Sequence, residues 1–169
     1  FEFALKGKPD KPVERQMKSD LAELLMRLAE DSEGGERTSY IDKAEKIAED
    51  LLWIQDLWFA KAIVYKAHAM ILRGDIEGAM DLFDFYQPDL IAIDMSLAEQ
   101  SKIEDTDFSK YSPLAQCRYL LGKVLHDQAL KKIRAGDKER AIPMLMGGKN
   151  AKGEKNLGAM QHLVNVFVR

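Results

Sequence analysis

The stretch LWFAKAIVYKAHAMILRGDIEGAMDLFDFY, Leu57 to Tyr86, decides the fold. In its first half Ala60, Ile63, Val64, Ala67, Met70 and Ile71 recur at spacings of three and four, which is one face of a helix. Gly74 stands where that helix stops, because glycine tolerates positive φ without a steric penalty. Asp75 follows as a cap for the next helix. Its carboxylate accepts a hydrogen bond from an orphan backbone N–H and complements the positive helix end. Ile76, Ala79, Met80 and Phe83 then resume the apolar spacing. A turn this short makes the two helices antiparallel neighbours.

The turn recurs. GDIEGAMDLF (Gly74 to Phe83) aligns with GDKERAIPML (Gly136 to Leu145), with Gly, Asp, Glu and Ala repeated at an offset of 62 residues. Ala67 and Ala129 share the offset. Repetition of helical pairs is the mark of a solenoid. The order of a small residue, Gly-Asp, Ala and a large apolar residue resembles the tetratricopeptide repeat. Ala67, Gly74, Ala79 and Phe83 carry the resemblance in the first copy. Ala129, Gly136, Ala141 and Leu145 carry it in the second. Met70 and Lys132 stand where that family has an aromatic residue. SPLAQCRYLLGKVL (Ser112 to Leu125) also resembles a helix start of bacterial tetratricopeptide-like proteins. The resemblance implies an all-α fold: antiparallel hairpins stacked as a right-handed superhelix. It implies one domain over residues 1–169, with about seven to nine helices in the manner of such stacks. The offset exceeds the family's repeat of about 34 residues, so an extra helix is expected between the copies.

For function, the resemblance implies a scaffold that holds a partner protein or peptide on a concave helical surface. The first helix of each hairpin would supply the contacts. Tyr65, Lys66, Arg73, Arg118, Gln128 and Lys132 are the expected partner-binding residues. Two other readings fit the residues. One is a small-molecule binder with a pocket lined by Trp53, Trp58, Phe59 and Tyr65. The other is a structural segment of a larger assembly, self-associating through its apolar terminal helices.

Composition narrows the classes. At 169 residues, 46% apolar and 31% charged, the chain is long enough for a sizeable core and ordinary for a globular domain. Cys117 is the only cysteine, so no internal disulfide forms; in LAQCRYLLG it reads as a buried, inert thiol. Few cysteines suit the cytoplasm and a periplasm alike, and the compartment stays open. A chain that begins at Phe1 and ends on NVFVR reads as a piece of something longer. No run approaches the ~20 apolar residues of a membrane span, so no membrane insertion is expected. Residues 123–169 hold ten Lys/Arg against four Asp/Glu, a net of +6, which leaves −9 for residues 1–122 of the total of −3. Solvated helix faces are the favoured reading of this asymmetry, and a basic end that attracts an anionic partner is the alternative. The basic part has no aromatics interleaved with its lysines, so no nucleic-acid partner is expected.

Taken in order, FEFALKGK (Phe1 to Lys8) reads as the end of a preceding helix. A helix over Lys11–Asp31 turns Val13, Met17, Leu21, Leu24, Leu25 and Leu28 inward. DSEGGER (Asp31 to Arg37) is a loop, and Thr38 or Ser39 caps the next helix, which buries Tyr40 or Ile41, Ala44, Ile47, Ala48 and Leu51. Trp53 and Trp58 flank a break at Gln55-Asp56 and read as core filler, with a binding anchor as the alternative. Pro88 predicts a kink or a new helix through Leu90, Ile93, Met95 and Leu97 to about Lys102. Ile103 to Ser112 is an acidic connection. Ser112 caps a long helix to about Ala135 with Pro113 in its first turn. Gly122 in that helix costs about 1 kcal/mol against Ala and permits close packing. Gly147-Gly148 end the following helix, KNAKGEK (Lys149 to Lys155) is a basic loop, and a last helix over Glu154–Val168 carries Leu157, Met160, Val164 and Phe167.

The residues of known chemistries do not assemble. His68, His126 and His162 lack a second His or Cys at helical spacing, and no HExxH, CxxC or EF-hand loop is present. Asp81 and Asp84 share a helix face, as solvated acids commonly do, with Asp94 near them in sequence. Gly147-Gly148-Lys149 lacks the rest of a phosphate loop. The expectation is therefore no enzyme, no cofactor and no metal site.

Overall fold

The computed structural model describes residues 11–97, 111–149, 153 and 155–167. Among these the chain forms seven α-helices and one pair of two-residue strands, so it is an all-α protein in its main elements. It divides into two compact units, Phe1–Glu104 and Asp105–Arg169.

The first unit contains α1 (Lys11–Asp31), α2 (Gly34–Leu51), α3 (Leu57–Leu72) and α4 (Ile76–Leu97). α1 has the expected bounds. The loop expected over Asp31–Arg37 shrinks to Ser32-Glu33, and α2 starts at Gly34 with φ 58°. Thr38 is therefore inside the helix, its hydroxyl donating to the Gly34 carbonyl at 3.2 Å. No side-chain cap closes the start of α2. Instead Arg37 donates to the Ala29 and Ser32 carbonyls at 3.0 and 2.7 Å, satisfying orphan acceptors at the end of α1.

α3 is the hub of this unit and packs against α1, α2 and α4. It buries Phe59, Ala60, Ala62, Ile63, Val64, Tyr65, Ala67 and Ala69, so it is apolar nearly all round rather than along one stripe. α2 buries Ile41, Ala44, Ala48 and Leu51, as its spacing predicts. α1 is rotated from expectation. Val13, Leu24 and Leu28 are exposed, and the inward stripe is Arg15, Ser19, Ala22, Leu25, Met26 and Ala29. Small Ala22 and Ala29 permit close approach, and Arg15 and Ser19 enter because partners await them inside.

α4 continues through Pro88 as one helix, so of the kink or new helix expected there, the new helix is not formed. Pro88 is exposed, on the outer side of the helix. The stretch Phe1 to Lys8 and most of the acidic connection, 103–110, lie outside the described residues.

The second unit contains α5 (Pro113–Arg134), α6 (Lys138–Met146), β1 (Gly148–Lys149), β2 (Lys155–Asn156) and α7 (Ala159–Phe167). Ser112 caps α5 by accepting from the Ala115 N–H at 3.3 Å, with Pro113 in the first turn. α5 packs against α6 and α7 and buries Leu114, Cys117, Leu121, Leu125 and Ala129. The basic loop is partly structured: Gly148 pairs with Asn156 and Lys149 with Lys155, antiparallel. The last helix consequently starts at Ala159, not Glu154.

α7 also faces differently from its sequence stripe. Met160 and Val164 are half exposed, while Ala159 and His162 are buried. Two glycines set this rotation. A Cβ on Gly158 would stand 2.6 Å from the Leu145 carbonyl carbon, and one on Gly122 would stand 2.7 Å from Leu163 Cγ. The missing side chains let α7 lie against the end of α6 and the middle of α5.

Ala141 in α6 is 1% exposed. Ala141→Leu is expected to overpack the unit and cost about 1–3 kcal/mol. A urea midpoint equal to that of the parent would show that Ala141 is not a tight contact.

Candidate interaction surface

The hairpin turns are built identically in the two units. Gly74 and Gly136 have φ of 84° and 81°. The Asp75 N–H donates to the Met70 carbonyl and the Asp137 N–H to the Lys132 carbonyl, both at 2.9 Å. The Gly74 and Gly136 N–H groups donate to Ile71 and Ile133 at 2.9 and 3.0 Å. These paired bonds are the Schellman arrangement, which satisfies the last carbonyls of a helix. Each aspartate then caps the following helix: Asp75 accepts from the Gly78 N–H at 2.9 Å, and Asp137 from the Arg140 N–H at 3.3 Å. Ala67, Ala79, Ala129 and Ala141 are buried in both copies. Every equivalence keeps the offset of 62.

A second feature is polar and internal. Arg15 of α1 is 9% exposed and donates through Nε and Nη2 to both Asp56 carboxylate oxygens, at 2.8 and 2.7 Å. Nη2 also donates to the Leu51 and Ile54 carbonyls at 2.9 and 3.1 Å. Its guanidinium lies 5.7 Å from the centre of the Trp58 ring. Asp56 caps α3 by accepting from the Phe59 N–H at 2.9 Å. A planar fork of donors suits this double task, closing the end of α2 and opening α3. The Leu52–Asp56 segment is thereby clamped at both ends.

On that clamped segment Trp53 is 87% exposed. This corrects the expectation that it fills the core. It follows Leu51, the last buried residue of α2, after the helix has ended. Trp58 does pack against the core, and its Nε1 donates to Gln16 at 3.0 Å. Phe59 and Tyr65 are core residues, whereas Trp53 stands in solvent.

The six expected partner-binding residues divide three and three between the units. Tyr65 is 5% exposed and its hydroxyl is 3.0 Å from Ser19 Oγ. It is a core residue and offers no contact surface; burial pushes its phenol well above the usual range. Lys66 pairs with Glu49 at 3.7 Å. Arg73 is held by Asp42 and Glu45 of α2, at 2.6 and 2.5 Å. Lys132 lies 3.8 Å from Asp137, within its own turn. Arg118 and Gln128 are half-buried on α5, with Arg118 close enough to His162 to influence it.

The titratable groups have structural surroundings. His68 Nε2 meets Glu30 at 3.0 Å. His126 Nδ1 is 3.4 Å from Asp127. His162 is 3% exposed, and burial, then the Arg118 charge, lower its pKa to about 4. Burial pushes the Cys117 thiol up to about 12, which leaves it inert at neutral pH. Among the described residues no group of three or more His, Cys, Asp or Glu is placed to hold a metal ion. No described helix is long and apolar enough to cross a membrane. An open depression of about 300 Å³ on α1 is lined by Asp20, Glu23, Leu24 and Arg27.

The Arg15 clamp and the exposure of Phe85 are not visible in the sequence pattern. Arg15 does fall on the helical stripe Arg15, Ser19, Ala22 and Met26, a pattern of small and polar residues that apolar counting skips. Phe85 is 74% exposed and lies off the buried Ala79–Phe83 stripe. No protein-family model, no curated protein and no solved structure matches the chain.

Proposed function

We propose that the chain is a tetratricopeptide-like helical repeat that binds a partner protein or peptide on a helical surface. The repeated hairpin turn carries this reading: the same Schellman closure, aspartate cap and alanine contacts occur 62 residues apart. A turn built twice from the same parts is the signature of a duplicated structural unit, and stacked hairpins leave outer faces free for recognition. The expected surface contacts in this reading are Lys66, Arg73, Arg118, Gln128 and Lys132.

The test is affinity capture from the source cell's lysate and envelope fractions, with the chain immobilised and the retained proteins identified by mass spectrometry. One reproducible partner is the expected result. Recovery of nothing but the chain itself would favour the structural-segment reading and overturn this one.

A further inference from the structure

We infer that the outer face of α4, with the adjoining Trp53-Ile54 segment, is the docking surface for a basic amphipathic helix of a partner protein. This inference rests on the protein-binding reading above. α4 exposes Glu77, Asp81, Phe85, Pro88 and Ile91. Their spacings of four, four, three and three put them on one face. The face is graded, with carboxylates toward its N-terminal half and apolar side chains toward its C-terminal half. No Lys or Arg occurs between Gly74 and Leu97. Glu77 and Asp81 form no ion pair within the described residues, so their charge is not neutralised locally.

The apolar half is presented on fixed parts. Phe85 meets Tyr86 edge to face at 4.8 Å, and Tyr86 meets the buried Phe59 at 5.7 Å. Gln55 donates to Asp89, one turn beyond Phe85, at 3.3 Å, which ties the Trp53 segment to α4. The Arg15 clamp holds the same segment from beneath. Exposed aromatic side chains on a preorganised backbone lose little entropy on binding and serve as interface anchors. Their unneutralised acidic neighbours select a cationic partner and repel phosphate backbones and anionic lipid surfaces. A helix with lysines at one end of its apolar stripe complements the face in both charge and shape.

The test titrates the full chain with an 18-residue helical peptide of leucine and lysine, and with the same peptide carrying glutamate for lysine. Tryptophan emission and calorimetry read the binding. The lysine peptide is expected to bind and shift Trp53 emission to the blue, and the glutamate peptide to bind at least tenfold more weakly. Trp53→Ser and Phe85→Ser are each expected to weaken the lysine peptide at least tenfold, while circular dichroism melts stay unchanged at these exposed positions. Glu77→Gln with Asp81→Asn should flatten the salt dependence. Equal binding by the parent and the serine variants, or by both peptides, overturns the inference. So does self-association of the chain that Phe85→Ser abolishes, since the face would then belong to a second copy. If the lysine peptide fails while affinity capture still retains a partner, the scaffold reading stands and this surface assignment falls.

Discussion

Arg15→Ala is expected to destabilise the first unit by about 3 kcal/mol. The guanidinium satisfies the Asp56 carboxylate and the carbonyls of Leu51 and Ile54 together. Alanine leaves the Asp56 carboxylate, its side chain 24% exposed, with the Phe59 N–H as its remaining donor, and strips the buried Leu51 carbonyl of the Arg15 donor. The cost of such orphaned groups exceeds the modest net value of the bonds when made. Arg15→Lys recovers only part of the loss, because an ammonium cannot present the planar fork. Arg73→Ala is the internal control. Its pairs with Asp42 and Glu45 sit on the surface, with the Arg73 side chain 38% exposed, so less than about 1 kcal/mol is lost. Both tryptophans belong to the first unit, so emission during urea unfolding reads it directly. Equal midpoints for the Arg15 and Arg73 variants would show that the clamp is no more than another surface contact. Faster amide exchange over Leu52–Asp56 in the Arg15→Ala protein is the local counterpart of the same loss.

The second unit is expected to lose about 3 kcal/mol between pH 6.5 and pH 4 through His162 alone. Its folded pKa is lowered to about 4, against 6.5 for a free imidazole. Above pH 6.5 both folded and unfolded chains hold it neutral, and nothing is lost. Below 6.5 the unfolded chain takes up a proton that the folded one refuses, so stability falls until about pH 4. The cause is first burial and second the Arg118 charge. His162→Gln removes this slope, and Arg118→Ala lessens it. Amide exchange in α5 and α7, followed by mass spectrometry across the pH range, compares parent and variants. A parent and a His162→Gln protein with parallel pH profiles would refute the assignment.

The hairpins were legible because their signals are local. Gly74, Asp75, Gly136 and Asp137 each act on their own turn, and the observed bonds follow from residue type. Ser112 and Pro113 fixed the start of α5 for the same reason. What failed was rotation about helix axes. α1 buries Arg15 and Ser19 rather than Val13 and Leu24, because Asp56 and Tyr65 wait in distant parts of the chain. α7 turns His162 inward because Gly122 and Gly158 open space that only packing reveals. Tyr65 reads as a surface residue until α1 is placed against it, and Trp53 reads as core until α2 is seen to end at Leu51. Long-range partners decide each of these positions, and periodicity carries no information about them.

The most direct measurement is site-specific photocrosslinking in the source cell. A photoreactive residue is placed in turn at Trp53, Lys66, Phe85, Arg118, Gln128 and Lys132, with buried Tyr65 as the silent control. One discrete partner protein is expected, crosslinked from one or more of the surface positions and not from Tyr65. No crosslink to any other protein from all six surface positions would overturn the protein-binding function.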